Sequence, residues 1–231
     1  MREKDKEKEL VLYNYYRSST SYRVRIALEL KKLSYAYKPV HLLNNGGEQN
    51  SESFRQLNPS GGVPTLIHGD DAISQSFAIV EYLDDAFPNT YQLMPKVPLK
   101  KAKVRQVCEI INSDMHALQN LKVLQYLEKK HAYTQDDKDK WCQQWIRPSF
   151  AALEKILKQT SGQYCFGDEI TAADVFLVPQ VITAERFKTD LSAYPTVVKI
   201  YAKCLQKQEF LKAHPFRQID TPAEMRIKPD Q

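Results

Sequence analysis

Three stretches of the chain bring together groups able to hold an ionised ligand. Arg17-Ser18-Ser19-Thr20-Ser21-Tyr22-Arg23 sets a run of hydroxyl side chains between an apolar-aromatic segment and a helical pattern. A free thiol, with a pKa of about 8.5, is mostly protonated at neutral pH, so an enzyme that uses one must favour the thiolate. A hydroxyl donor at a helix N-terminus supplies a hydrogen bond and a favourable dipole together. Ser18 and Ser19 stand where both are available. The same hydroxyls would cap a helix with no ligand present, so the string alone does not distinguish the two roles.

The second stretch is Val63-Pro64-Thr65-Leu66. A proline opening a strand cannot donate to the ladder, and an X-Pro bond there can be cis, leaving the Val63 backbone to pair with an extended ligand. The third is Gln75-Ser76, at the start of a helical pattern, where a hydroxyl and backbone N–H groups suit a carboxylate. Ser76 is also a candidate cap for that helix. Thr171-Ala172-Ala173-Asp174 has the spacing of a capping box, flanked by Ile170 and Val175, and reads as a folding device. Cys108, Cys142, Cys165 and Cys204 are far apart and form no C-x-x-C pair, which argues against zinc, a redox dithiol and a disulfide framework.

The elements that must position these residues follow from periodicity. Leu10 to Tyr15 reads as a buried strand, Ser19 to Lys32 as a helix and Tyr35 to Leu42 as a strand that Pro39 places at an edge. Asn44-Asn45-Gly46-Gly47 is a turn, and Ser51 to Leu57 a short helical patch ended by Asn58-Pro59. Pro64 to Ile67 and the region around Ile73 read as strands joined at His68-Gly69-Asp70-Asp71. A strongly helical pattern then runs from Ser76 to Phe87. Pro88, Pro95 and Pro98 punctuate a linker, beyond which Leu99–His131, Thr134–Gln159, Thr171–Phe187 and Pro195–Leu211 read as long amphipathic helices. The expected architecture is an α/β domain over residues 8–90 followed by an all-α domain over 97–222.

Composition narrows the function classes. The 231 residues are 42% hydrophobic and 26% charged, globular values that need no disulfide or structural metal. The net charge of +5 is interleaved with acids, and no dense basic face or motif for nucleic acid is present. A mild positive bias suits a small acidic substrate. Met1 to Glu9 is nearly all charged, and no apolar run reaches membrane-spanning length, so a reduced, cytoplasmic protein is expected.

Taken in order, these residues resemble the cytosolic glutathione transferases, and within them the zeta class of maleylacetoacetate isomerases. Tyr16-Arg17-Ser18-Ser19-Thr20-Ser21-Tyr22-Arg23-Val24-Arg25-Ile26-Ala27-Leu28 is similar to the class signature S-S-C-x-W-R-V-R-I-A-L. Leu57-Asn58-Pro59, Val63-Pro64-Thr65-Leu66, Gln75-Ser76-Phe77-Ala78-Ile79, Leu118-Gln119-Asn120-Leu121, Ala184-Glu185-Arg186-Phe187 and His214-Pro215 extend the match from about Leu10 to Pro222. The resemblance implies a thioredoxin-like first domain, glutathione as cofactor, a small acidic electrophile as co-substrate, and a homodimer. It implies that Ser18 bonds the glutathione sulfur, with Ser19, Thr20, Ser21, Tyr22 and Arg23 close by. Val63, ahead of cis-Pro64, would pair with the cysteinyl portion, Gln75 and Ser76 with the γ-glutamyl end, and Gln49 with the glycyl end. His116 and Asn120 would join from the helical domain, and Arg186 would bind the acidic co-substrate. Three positions depart from the family: Thr20 replaces the usual Cys, Tyr22 the usual Trp or His, and Met115-His116-Ala117 the usual I-Q-P. The sulfur is then supplied by glutathione alone. The reaction implied is cis–trans isomerisation of maleylacetoacetate to fumarylacetoacetate in tyrosine and phenylalanine breakdown. Transfer to α-haloacids, or a non-catalytic binding role on the same fold, are the alternatives.

Overall fold

A computed structural model describes residues 9–227. The chain divides into two compact units, one running to Leu93 and resuming at Lys207, the other comprising Met94–Gln206.

The first unit is built on a four-stranded mixed sheet in the order β2-β1-β3-β4. β1 (Leu10–Asn14) pairs in parallel with β2 (Tyr35–Pro39) and antiparallel with β3 (Thr65–His68), which pairs antiparallel with β4 (Asp71–Ser74). β2 lies at the edge, where Pro39 removes no ladder bond. Helix α1 (Ser19–Lys31) is the parallel crossover; α2 (Glu52–Leu57) precedes β3, and α3 (Ser76–Ala86) follows β4. This β-α-β-α-β-β-α order is the expected thioredoxin-like arrangement. α1 packs against both α3 and α9 (Gln208–Ala213), so the chain's late segment closes over its first helix.

Every residue from Ser21 to Leu28 is buried as a result, including two arginines. A helix buried on all sides must pair its charges. Arg25 donates to Asn14 Oδ1 at 2.9 Å and to the carbonyls of Ala213 and Tyr16 at 2.9 and 3.0 Å. Arg23 Nη1 donates to Ser76 Oγ at 3.1 Å. At the other end of α1, the buried Lys31 lies 2.6 Å from Asp84, whose carboxylate also accepts from Leu93 N. The tail is held by Asp220, which accepts from Tyr16 N and from the Tyr37 hydroxyl.

The second unit is helical among its described residues. α4 (Pro98–Glu109) starts on a proline, runs into a π-helical turn (Ile110–His116) and stops. α5 (Leu121–His131), α6 (Gln135–Thr160), α7 (Ala172–Arg186) and α8 (Pro195–Cys204) follow. The single helix expected over Leu99–His131 is therefore two, parted at 117–120, because Asn120 caps a new start by accepting from Lys122 N. The helix expected over Pro195–Leu211 is likewise divided, into α8 and α9. Val104, Val107, Cys108 and Ile111 join Cys142, Ile146, Phe150 and Leu153 of α6 and almost all of α7 in the core. α8 has no cap of its own; buried Glu154 of α6 supplies one, accepting from Thr196 N, Thr196 Oγ1 and Val197 N. Burial alone would raise the Glu154 pKa, but these bonds hold it below the ordinary value.

Candidate functional site

The hydroxyl run sits at the turn from β1 into α1. Ser18 is the N-cap, in extended conformation, with its Oγ accepting from Ser21 N at 3.1 Å. Ser18, Ser19 and Thr20 are only partly buried, unlike the helix that follows. Ser18 Oγ lies 2.8 Å from Thr20 Oγ1, and Thr20 Oγ1 lies 3.1 Å from the carbonyl of Val63. The Val63–Pro64 bond is cis. Two stretches singled out in the sequence thus meet directly, through a chain of two hydroxyls ending on a backbone carbonyl. The neighbouring phenol of Tyr15 offers no alternative anion: burial first, then the Tyr16 side chain, pushes its pKa far up.

The third stretch joins through the core. Ser76 is the first residue of α3 rather than its cap; the cap position belongs to Gln75, and no side chain caps this helix. The Ser76 hydroxyl instead accepts from Arg23, which anchors the start of α3 to α1. Gln75 is exposed and held at φ 72°, ψ 116°. That backbone region costs a non-glycine residue on the order of 1–3 kcal/mol and is concentrated at ligand-holding positions. An uncapped helix start with its positive dipole end forward suits a carboxylate.

Gln49 lies in a short 3₁₀ turn, with its Nε2 3.5 Å from the Leu42 carbonyl. Its amide oxygen is buried without a hydrogen-bond partner. A Cβ at Gly47 would strike this amide, so the bare backbone there leaves room for Gln49.

Tyr22 and Arg23, grouped with the ligand-facing residues on sequence grounds, are turned inward and fully buried. The Tyr22 hydroxyl donates to the Phe210 carbonyl at 2.9 Å and its ring meets His214 edge-on. Both side chains hold α1 in place. Ser21 is also buried, with its Oγ 3.5 Å from Tyr15 N.

In the second unit, His116 ends the π-helical turn, and its Nε2 lies 3.5 Å from Asn120 Nδ2. Single π-turns within helices are frequent at functional sites. Beside this pair, buried Gln119 bonds Gln180 at 3.1 Å, and Trp141 Nε1 donates to the Leu118 carbonyl. Arg186 is exposed at the end of α7, with its guanidinium 4.7 Å from the centroid of the Phe187 ring. The Ser76–Arg23 bond and the Thr20–Val63 bond were missed by sequence reasoning. Arg23 in the middle of a helix buried all round was the available signal for the first.

Among the described residues no cluster of three or more side chains could hold a metal, and no helix is long and apolar enough to cross a membrane. All four cysteines are free and buried. Burial pushes the Cys142 thiol up to about 12 and Cys165 well above the ordinary range, so neither is a ready nucleophile.

Family models match both parts of the chain: "Glutathione S-transferase, N-terminal domain" over residues 12–91 and "Glutathione S-transferase, C-terminal domain" over 114–213. Maleylacetoacetate isomerase of Rattus norvegicus is 48% identical over 216 residues, spanning 94% of this chain and 97% of its own. A bacterial maleylpyruvate isomerase, described as a zeta-class glutathione S-transferase, superposes with a TM-score of 0.88 at 39% identity, covering 92% of this chain and 100% of its own. Maleylacetoacetate isomerase from Anaeromyxobacter dehalogenans, with dicarboxyethyl glutathione and citrate bound in its active site, has a TM-score of 0.81 at 35% identity, covering 93% of this chain and 98% of its own.

Proposed function

This chain belongs to the glutathione S-transferase family and, within it, to the zeta class; from that premise we propose that it is a glutathione-dependent isomerase converting maleylacetoacetate to fumarylacetoacetate. Glutathione is the cofactor, regenerated in each turnover. Its thiolate adds to the activated cis double bond, forming a C–S bond and moving the π electrons into an enolate. The former double bond is now single and rotates. Collapse of the enolate breaks the C–S bond, returning thiolate and the trans product.

The chain's own part is to hold the thiolate and the carboxylates. The observation that carries the reading is the Ser18 hydroxyl, capping α1 from a partly open position and one hydroxyl removed from the Val63 carbonyl. A donor there, at the positive end of α1, favours thiolate over thiol. Ser19 lies next to it. Val63, beside Pro64, pairs with the cysteinyl backbone. Gln75 and Ser76 at the uncapped start of α3 take the γ-glutamyl carboxylate, and the Nε2 donor of Gln49 takes the glycyl end. Ser21, Tyr22 and Arg23 support this set from the core. Arg186 is assigned to the acidic co-substrate, and His116 and Asn120 to the cofactor. The relative with dicarboxyethyl glutathione and citrate bound supports an acidic electrophile meeting the glutathione sulfur. A cytoplasmic homodimer completes the reading.

The test mixes purified protein, glutathione and maleylacetoacetate, with an α-haloacid as competing electrophile. The reading predicts isomerisation far above the rate with glutathione alone and preferred over the haloacid. No acceleration removes it.

A further inference from the structure

The three oxygen atoms Ser18 Oγ, Thr20 Oγ1 and Val63 O form a chain whose direction can be assigned. A carbonyl only accepts, so across the 3.1 Å contact Thr20 is the donor and Val63 the acceptor. Thr20 has one proton, so across the 2.8 Å contact the Ser18 hydroxyl donates to Thr20. Ser18 Oγ also accepts from Ser21 N. In this arrangement the one proton of Ser18 points at Thr20 and is not offered to a ligand.

We propose that Thr20 is a positioning residue that switches Ser18 from donating to Thr20 to donating to a ligand sulfur when the Val63 backbone is taken by that ligand. This rests on the reading that glutathione binds at Val63. An extended ligand whose N–H bonds the Val63 carbonyl weakens the acceptor that Thr20 uses. The Thr20 hydroxyl then rotates and donates to Ser18 Oγ. With Ser21 N–H and Thr20 O–H both pointing at it, Ser18 Oγ has its two lone pairs engaged and only its proton left to give. That proton goes to the sulfur. No heavy atom moves, and no covalent bond is made or broken.

The consequence is that thiolate stabilisation depends on a seated ligand backbone, and that Thr20 acts through its hydroxyl rather than its shape. A Thr20→Val variant keeps the branched side chain and removes the proton; Thr20→Ser keeps the hydroxyl and removes the methyl. The readouts are the pH profile of kcat/KM and the melting temperature. With one hydrogen bond to Ser18 lost, Thr20→Val should lower kcat/KM about three- to tenfold near neutral pH and move the acid limb of the profile to higher pH. Thr20→Ser should restore both to within about twofold. A merely structural Thr20 would lower the melting temperature without moving the limb. If the wild type is active and Thr20→Val keeps its acid limb and kcat/KM, the switch is wrong while the isomerase reading stands. If the wild type itself fails to accelerate the reaction, the isomerase reading falls first. A Thr20→Ser variant behaving like Thr20→Val also overturns the proposal.

Discussion

Two helix starts in this protein share one local grammar and serve different ends. At α1 a hydroxyl residue, Ser18, caps the helix by accepting from the N–H three residues on. At α7 Thr171 stands in the same place, and Asp174 completes a reciprocal capping box. The α7 start is sealed. Asp174 is fully buried and accepts from Cys165 N and Thr171 N, each at 2.8 Å, and from Thr171 Oγ1 at 3.1 Å. Burial pushes its pKa up against the pull of those donors, all of which belong to the fold itself. The α1 start is partly open, and the hydroxyls of Ser18, Ser19 and Thr20 there are only partly buried. A cap motif therefore identifies a helix, while chemistry is shown by bonding capacity left beyond the cap.

The sharpest way to break this contrast is to remove each side chain. Asp174→Ala strands two buried N–H groups and should cost about 3–5 kcal/mol of stability, read by urea denaturation. Asp174→Asn, which still accepts, should cost clearly less. Ser18→Ala should reverse the pattern: a loss of about 100-fold in kcat/KM at a stability cost of only about 1 kcal/mol. Equal stability losses with activity intact would erase the distinction.

Acid supplies a smaller test. His214 packs on Tyr22 beside α1, and burial, then Arg217 and Arg25, lowers its pKa to about 4 from 6.5. Between those values the unfolded chain binds the extra proton, so stability falls as pH drops from about 6.5 towards 4. The raised pKa of Asp174 has the opposite sign and gives α7 no such weakness. Discounted for partial exposure, the His214 effect should be about 1–2 kcal/mol, seen as a lower urea midpoint at pH 5 than at pH 7. His214→Asn should flatten that difference.

The first unit was legible where local signals sufficed. Strand-length apolar runs, Pro39 at an edge and the hydroxyl start of α1 could all be read from spacing, whereas the cis bond at Pro64 came from the family resemblance. The break at 117–120 was harder, because no proline or glycine marks it; Asn120 before an apolar pattern was the usable clue. Partnerships over long separations were invisible. Asp220 bonding Tyr16 and Tyr37, and the return of α9 to α1, depend on tertiary packing that no window of sequence contains. The same holds within the site. Ser18, Val63, Gln75 and Ser76 were singled out as candidates from type and position, but Arg23 holding Ser76 and Thr20 joining Ser18 to Val63 emerge only in the folded chain.

On the proposed function, the Ser18 hydroxyl at the start of α1 holds glutathione as its thiolate. Ultraviolet thiolate absorbance of bound glutathione, followed against pH in wild type and Ser18→Ala, tests it most directly. The wild type should ionise the bound thiol well below the free value of about 8.5, and Ser18→Ala should return it towards that value. Identical titrations in the two proteins, with glutathione bound in both, would contradict it.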